Sequence, residues 1–263
     1  MNMPGNLDNR KLRIAAAWVL PLLVVVSMQL LAGRESAPRY LVAPTEIAGT
    51  LWTLVQSGEM FVHAWASLVR AYSGFLIGAT MGVGVGLLCS VSRPLSAFFD
   101  PLVSIAYPVP KVALLPLLIT WLGFGDASKI AIIGLAVFFP TFINALYGAR
   151  GVSQRWIWSA RNMGAGRVQV FLKVIVPAAA PHVFNGLRSG MALAFIVLFA
   201  AEMVGARNGL GDLIIQAEEG LRFDLMYAAI FSIGLIGFVS DRLLLALRRR
   251  LLGGKFPGEA KSG

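Results

Sequence analysis

The side chains able to do chemistry are few and scattered. The 263 residues hold two histidines, His63 and His182, and one cysteine, Cys89. No Gly-x-Ser-x-Gly or His-Glu-x-x-His motif and no pair of inward carboxylates appears, so nucleophilic and metal-assisted hydrolysis find no candidate residues. A lone cysteine makes no intrachain disulfide and no cysteine-rich metal site, and Cys89 reads as mid-helix packing. The nearest approach to a phosphate cradle, Gly253–Phe256 (GGKF), lacks both the leading glycine and the Ser/Thr that would hold Mg²⁺. No metal site and no cofactor are therefore expected in this chain.

The remaining ionisable residues lie near or within apolar blocks, where such groups are candidates for function. Lys111 follows Pro110 in a segment broken by prolines, placed either to attract an anion or to pair with a carbonyl or carboxylate. Glu202 precedes the glycine-rich stretch Gly205–Gly211 (GARNGLG) and reads as a gate or docking residue, or as an interfacial carboxylate facing water. Pro110, Lys111 and Glu202 are the candidate pathway or gate residues. Arg70 and Asp100, near span ends, are expected to snorkel to water, and Asp241 to be solvated or salt-bridged. Finally, Ser159–Pro177 (SARNMGAGRVQVFLKVIVP) carries three positive charges and no negative one.

What must position these residues is a set of membrane helices. The chain is 57% hydrophobic and only 14% charged, against about 25% charged in soluble domains. Its apolar blocks are about 20 residues long, enough to cross a bilayer as helix. The expected fold is an all-α polytopic membrane protein with six spans. These are Ile14–Ala32, a block ending in SGFLIGATMGVGVGLLCSVSR, Pro101–Leu122, Ile130–Leu146, Val183–Val204 and Leu225–Leu247. The first follows Arg10, Lys11 and Arg13 as a signal peptide would, but no small-x-small cleavage site follows, and it is read as a retained span.

In domain terms, residues 1–13 form an N-terminal segment, 14–32 the first span, and 33–63 a polar segment with a short helix capped by Thr45 and stopped by Gly58. Residues 64–248 form the core, with a polar loop at 148–181, and 249–263 a solvated tail. Gly74, Gly78, Gly82 and Gly86 recur every fourth residue, a spacing that lets helix backbones approach closely in lipid. Pro108, Pro110 and Pro116 break the third span, which is tolerated where protein or a water-filled cavity satisfies the freed carbonyls. Only Arg34, Arg39, Lys129, Arg207 and Arg222 fall in the outer segments when the N-terminus is inside. The positive-inside rule thus places both termini in the cytoplasm. The net charge of +10 punctuates apolar blocks and lines no single face, which argues against nucleic acid as a partner.

Within the polar loop, Ser153 is placed to cap a helix running to Met163, and Gly164 to end it. A second helix, Gly166–Val176, is expected to stop at Pro177 and Pro181. Such short helices bury no core of their own. They either lie on the lipid bilayer, with Trp156 and Trp158 among anionic headgroups, or dock onto a partner protein.

The residues then carry a resemblance. WSARNMG, nine residues, and VIVP resemble the cytoplasmic loop of binding-protein-dependent ABC importer permeases of the MetI-like kind. The signature of that loop is Glu-Ala-Ala, three residues, Gly, nine residues, Ile-x-Leu-Pro. PVPKVALLPLLITWLGFGDASKI, FFPTFIN and AEMVGARNGLGDLI are similar to the branch importing aliphatic sulfonates, taurine or nitrate. The resemblance implies an inner-membrane, multi-pass permease with a cytoplasmic coupling helix between spans four and five. Its partners would be a second permease copy in a homodimer, two ABC ATPase subunits that bind the ATP and Mg²⁺, and a periplasmic substrate-binding protein. The implied ATPase-coupling residues are Ser153, Arg155, Trp156, Trp158, Ser159, Ala160, Arg161, Met163, Gly164, Ala165, Gly166 and Pro177. The chain departs from the family at Trp158, where glutamate is usual, and at Ser159, where alanine is usual, which puts the ordinary ATPase contact there in doubt. The competing reading is a secondary transporter or channel working without an ATPase.

Overall fold

A computed structural model describes residues 6–34 and 37–253, with side chains described from Val19 onward. The described residues are helical throughout, without strands. They divide into two compact units, one made of the chain up to Phe61 with Leu213–Ile230, the other of Val62–Asp212 with the chain from Phe231.

In the first unit, α1 (Asn6–Ala32) and α2 (Pro44–Ser57) are joined through one side chain. The N-cap of α2 is Ala43, not Thr45 as expected, and no side chain of its own caps the helix. Gln29 of α1 supplies the cap, its Oε1 accepting from Thr45 N at 3.2 Å while its Nε2 donates to Thr45 Oγ1 at 3.1 Å. A helix N-terminus must place its free N–H groups somewhere, and here they are met from a distant residue. Gly58 ends α2 with φ of 81°, and Thr50 Oγ1 of α2 donates to Asp224 Oδ2 at 2.8 Å.

The second unit is built around α6 (Asp126–Arg150), with α3 (Glu59–Val91) on one face and α8 (Arg167–Glu202) on another. Four-residue stripes form both seams. Gly74, Gly78, Gly82 and Gly86 of α3 lie against α6, so closely that a Cβ on Gly74 would stand 2.6 Å from Ile133 Cβ and one on Gly86 2.6 Å from Phe142 O. On α6, Lys129, Ile133, Val137, Thr141 and Ala145 are all buried, and on α8 so are Gly186, Gly190, Ala194, Leu198 and Glu202. Small residues at that spacing bring backbones together where van der Waals contact, not the hydrophobic effect, drives association.

A paired test follows from this seam. Gly82→Ala puts a methyl into Thr141 Oγ1 and the Phe138 backbone and is expected to cost about 1–3 kcal/mol by overpacking. Gly84→Ala, two residues on, meets nothing within 4 Å and is expected to be neutral or slightly stabilising, since alanine is the better helix former. Thermal unfolding in detergent reads both.

Three expectations need correction. The third span, expected over Pro101–Leu122 and broken by its prolines, is broken but begins earlier, at Arg93. α4 (Arg93–Ala106) leads through Tyr107–Pro110 to a 3₁₀ turn (Lys111–Leu114) and α5 (Leu115–Leu122), and the two arms are bent by 95°. Second, no helix stops at Pro177. α8 runs unbroken from Arg167 through Pro177 and Pro181 to Glu202. A π-helical turn at Phe171–Ile175, closed by Val176 N–H donating to Phe171 O, immediately precedes Pro177 and widens the helix where the ring must fit. Third, the stretch between the expected fifth and sixth spans, Val183–Val204 and Leu225–Leu247, holds a helix of its own, Leu210–Glu219 (α9), ahead of α10 (Phe223–Leu252).

Among the described residues, α3, α6, α8 and α10 are long and apolar enough to cross a membrane, or five spans with the bent α4–α5 pair counted as one. α1 contributes the shorter apolar stretch Val19–Ala32. The tail beyond residue 253 lies outside the described residues.

Candidate functional site

Two groups of chemistry-bearing residues stand at opposite ends of α6 in the second unit, and a third lies at the bend between α4 and α5. The first gathers at the ends of the buried stripes. Arg70 is four residues before Gly74 and so heads the α3 stripe; it is 3% exposed and does not snorkel as expected. Its Nη1 donates to Glu202 Oε1 at 2.7 Å and to Asn208 O at 2.6 Å, its Nε to Asp126 Oδ1 at 2.6 Å, and its Nη2 to Asn208 Oδ1 at 2.6 Å. Glu202 is 1% exposed, so it is not the water-facing carboxylate considered above. It also accepts from Ser67 Oγ at 2.8 Å and from Gly211 N at 3.0 Å, which makes it the cap of α9. A carboxylate at a helix N-terminus with a guanidinium on its other oxygen is an arrangement in which both charges are met.

Gly209 makes this closeness possible. Its φ is 126°, and a Cβ there would stand 2.5 Å from Glu202 Oε1 and 2.7 Å from Arg70 Nη1. His63 Nδ1 lies 2.9 Å from Gly209 O and 3.1 Å from Gly209 N, tying the same loop to α3. Lys129, assigned above to an outer segment, is wholly buried and donates to Phe124 O at 2.7 Å and Gly125 O at 3.3 Å. The cluster has the form of a clamp that fixes the loop 203–209, rather than of an open binding site.

At the other end of α6, α7 (Gln154–Asn162) stands out from the fold. Ser153 occupies its N-cap position, though its hydroxyl makes no capping bond. The C-terminus closes in a Schellman arrangement, Ala165 N donating to Ala160 O at 3.0 Å and Gly164 N to Arg161 O at 2.9 Å, with Gly164 at φ 83°. Ala160 is buried against a cluster that includes Val152 and Val170, which roots the knob. Almost everything else on it is exposed: Ser153, Arg155, Trp156, Trp158, Ser159, Arg161, Met163, Gly164 and Gly166. Trp156 is 56%, Trp158 60% and Met163 81% exposed. Ala165 is half-buried, and Pro177 lies a helical run away on α8.

The third location is the bend between α4 and α5. In an α-helix Ala106 O would accept from the N–H of residue 110, which is a proline and has none. Lys111 Nζ takes that place, donating to Ala106 O at 2.9 Å and also to Tyr107 O, and lies 4.3 Å from the centre of the Phe139 ring. Pro110 is exposed and opens the 3₁₀ turn. Two further ionic expectations resolve simply. Asp100, its side chain 38% exposed, receives Arg150 Nη2 at 2.9 Å, and Asp241 receives Arg188 Nε at 2.8 Å. His63 and His182 lie far apart, the latter against Gly148. Among the described residues no group of His, Cys, Asp and Glu is placed to hold a metal ion.

Known proteins share this arrangement of sequence and fold. Residues 74–253 match the family described as binding-protein-dependent transport system inner membrane component. A Bacillus subtilis permease named for the transport of aliphatic sulfonates is 34% identical over 235 residues, covering 89% of this chain and 85% of its own. The taurine transport system permease of Escherichia coli is 35% identical over 232 residues, covering 86% and 82%. In fold, the chain is similar to an inward-facing methionine ABC transporter, with a TM-score of 0.57 at 22% identity over 74% of this chain and 96% of that one.

Proposed function

The chain belongs to the family of binding-protein-dependent transport system inner membrane components and is a permease subunit of an ABC importer, not an enzyme. From that premise we propose that it carries a small anionic solute, of the aliphatic sulfonate, taurine or nitrate kind, inward through a homodimer of six-span subunits with both termini in the cytoplasm. A periplasmic binding protein delivers the solute. Two cytoplasmic ATPase subunits bind the ATP and Mg²⁺, and their closure swings the spans between inward-facing and outward-facing forms.

The observation that carries this reading is the exposure of α7. A nine-residue helix with one buried residue does not persist on its own account, and so many large apolar side chains left exposed on one short element, Trp156, Trp158 and Met163, mark a surface that a partner covers. Its base is rigid, because the Schellman closure and Ala160 fix it to α6 and α8, so a displacement of the knob reaches the spans. Arg155 and Arg161, both exposed, complete an aromatic, arginine-bearing surface of the composition that protein interfaces favour.

The test is reconstitution of ATP-dependent uptake with the cognate ATPase and binding protein. Gly164→Pro removes the N–H that closes the helix and forbids φ of 83°. Uptake should fall to background while the permease remains folded in the membrane. Unchanged uptake contradicts the coupling assignment, and uptake by the permease alone, without ATPase, favours a secondary transporter.

A further inference from the structure

Beside the α4–α5 bend is a cavity of about 400 Å³. Its wall is apolar over most of its extent, from Val112, Ala136, Phe139, Leu193 and Ile196, and Lys111 supplies its one charge. Among the described residues no carboxylate lies within ion-pair distance of Lys111; the ammonium meets only two backbone carbonyls and the rings of Phe139 and Tyr107. Carbonyl and ring partners orient a cation without neutralising it. At membrane depth an ammonium without a counter-ion is expensive. The cost falls when an anion occupies the cavity.

We infer that this cavity is a cargo subsite for a monoanion bearing a short uncharged tail, its head on the Lys111 ammonium and its tail against Phe139, Leu193 and Ile196. The inference rests on the importer reading above and specifies the class of solute. The size fits, since small-ligand pockets run from about 300 Å³ upward. Lys111 is fixed in place by the bend itself, because with a proline at 110 Ala106 O lacks its helical donor and accepts from the Lys111 ammonium at 2.9 Å beside Val109 N at 3.3 Å. An added ammonium on the tail would share a largely apolar cavity with the Lys111 ammonium and meet no carboxylate among the lining residues, so the site discriminates against zwitterions.

The experiment measures ethanesulfonate and 2-aminoethanesulfonate uptake, together with ATP hydrolysis stimulated by the loaded binding protein. It uses the complete transporter in liposomes of purely zwitterionic lipid and, separately, with anionic lipid added. Lys111→Gln keeps an N–H donor group for the carbonyls and loses the charge. It should lower ethanesulfonate uptake per ATP hydrolysed about tenfold, the equivalent of roughly 1.4 kcal/mol, in both lipids, with stimulated hydrolysis retained and Lys111→Arg close to the parent. Ile196→Trp, at a position 61% exposed and therefore tolerant, should narrow the cavity and impair longer alkyl chains more than ethanesulfonate while leaving Lys111 untouched.

Full uptake by Lys111→Gln, or loss of uptake and hydrolysis together in a folded complex, reduces Lys111 to a helix cap and overturns the proposal. A deficit seen only with anionic lipid assigns the cavity to a headgroup and overturns it equally. Equal handling of all chain lengths by Ile196→Trp also contradicts it. If the parent transporter takes up no anion with ATP, it is the importer reading that fails.

Discussion

Replacing Glu202 with glutamine is expected to destabilise the protein by about 3–5 kcal/mol, the range seen when one member of a buried ion pair is removed. Arg70 and Glu202 are both buried, 2.7 Å apart, so the guanidinium would be left in a low-dielectric site with half its charge unmet. An amide also brings two N–H groups where Gly211 N and Ser67 Oγ now donate, so one of them loses its acceptor. Asp126→Asn is the control. Asp126 contacts the same guanidinium at 2.6 Å, but its side chain is 60% exposed, and water screens the pair to about 1 kcal/mol or less. Arg70→Lys should approach the glutamine variant, since an ammonium cannot reproduce four bonds directed from one planar fork. Thermal unfolding in detergent and the amount of protein in the membrane check the order. Equal losses at Glu202 and Asp126 would show that the cluster is wetter than its burial indicates.

The second large effect is expected at the knob. Met163→Asp places a charge on the most exposed large apolar residue of the knob, at the C-cap of α7. Surface changes of this kind move stability by about 0.5 kcal/mol or less, yet a hot-spot residue costs 2 kcal/mol or more in binding, about thirty-fold in affinity. ATPase association should therefore weaken about thirty-fold while the unfolding temperature of the permease stays within a degree or two. Trp158→Glu restores the residue usual in the family. If an aromatic contact has replaced the acidic one, this change weakens association as well, and stronger association would show that Trp158 is an uncompensated loss. Copurification with the ATPase reads both variants.

Much of the ion-pair cluster was legible in the sequence, though not by residue type. Arginine near a span end suggests snorkelling, and that rule misplaced Arg70. Phase corrects it: Arg70 stands four residues before Gly74, and a residue in register with a glycine seam points into the seam. Glu202 and Lys129 head the corresponding stripes on α8 and α6. Three charges at the ends of three buried stripes of four-residue spacing form one constellation that register finds and hydropathy misses. Gly164 was legible directly, because a helix end followed by glycine predicts the left-handed closure that is seen.

What stayed hidden depends on partners remote in sequence. α9 looks like loop because the group that caps it, Glu202, belongs to the previous helix. The N-cap of α2 was misassigned for the same reason, its first turn being met by Gln29. Pro177 and Pro181 read as helix stops, and they are not, since the π-helical turn before them accommodates the first ring. The bend of 95° between α4 and α5 was signalled by its prolines, but the span was begun at Pro101 where α4 begins at Arg93.

The most direct measurement of the central claim is a photocrosslinker installed at position 163 and activated in membranes that hold the permease with its ATPase and binding protein. A covalent adduct between the permease and the ATPase subunit, abolished by Gly164→Pro, is the expected result. Adducts with lipid alone, in a transporter that still couples ATP hydrolysis to uptake, would contradict it.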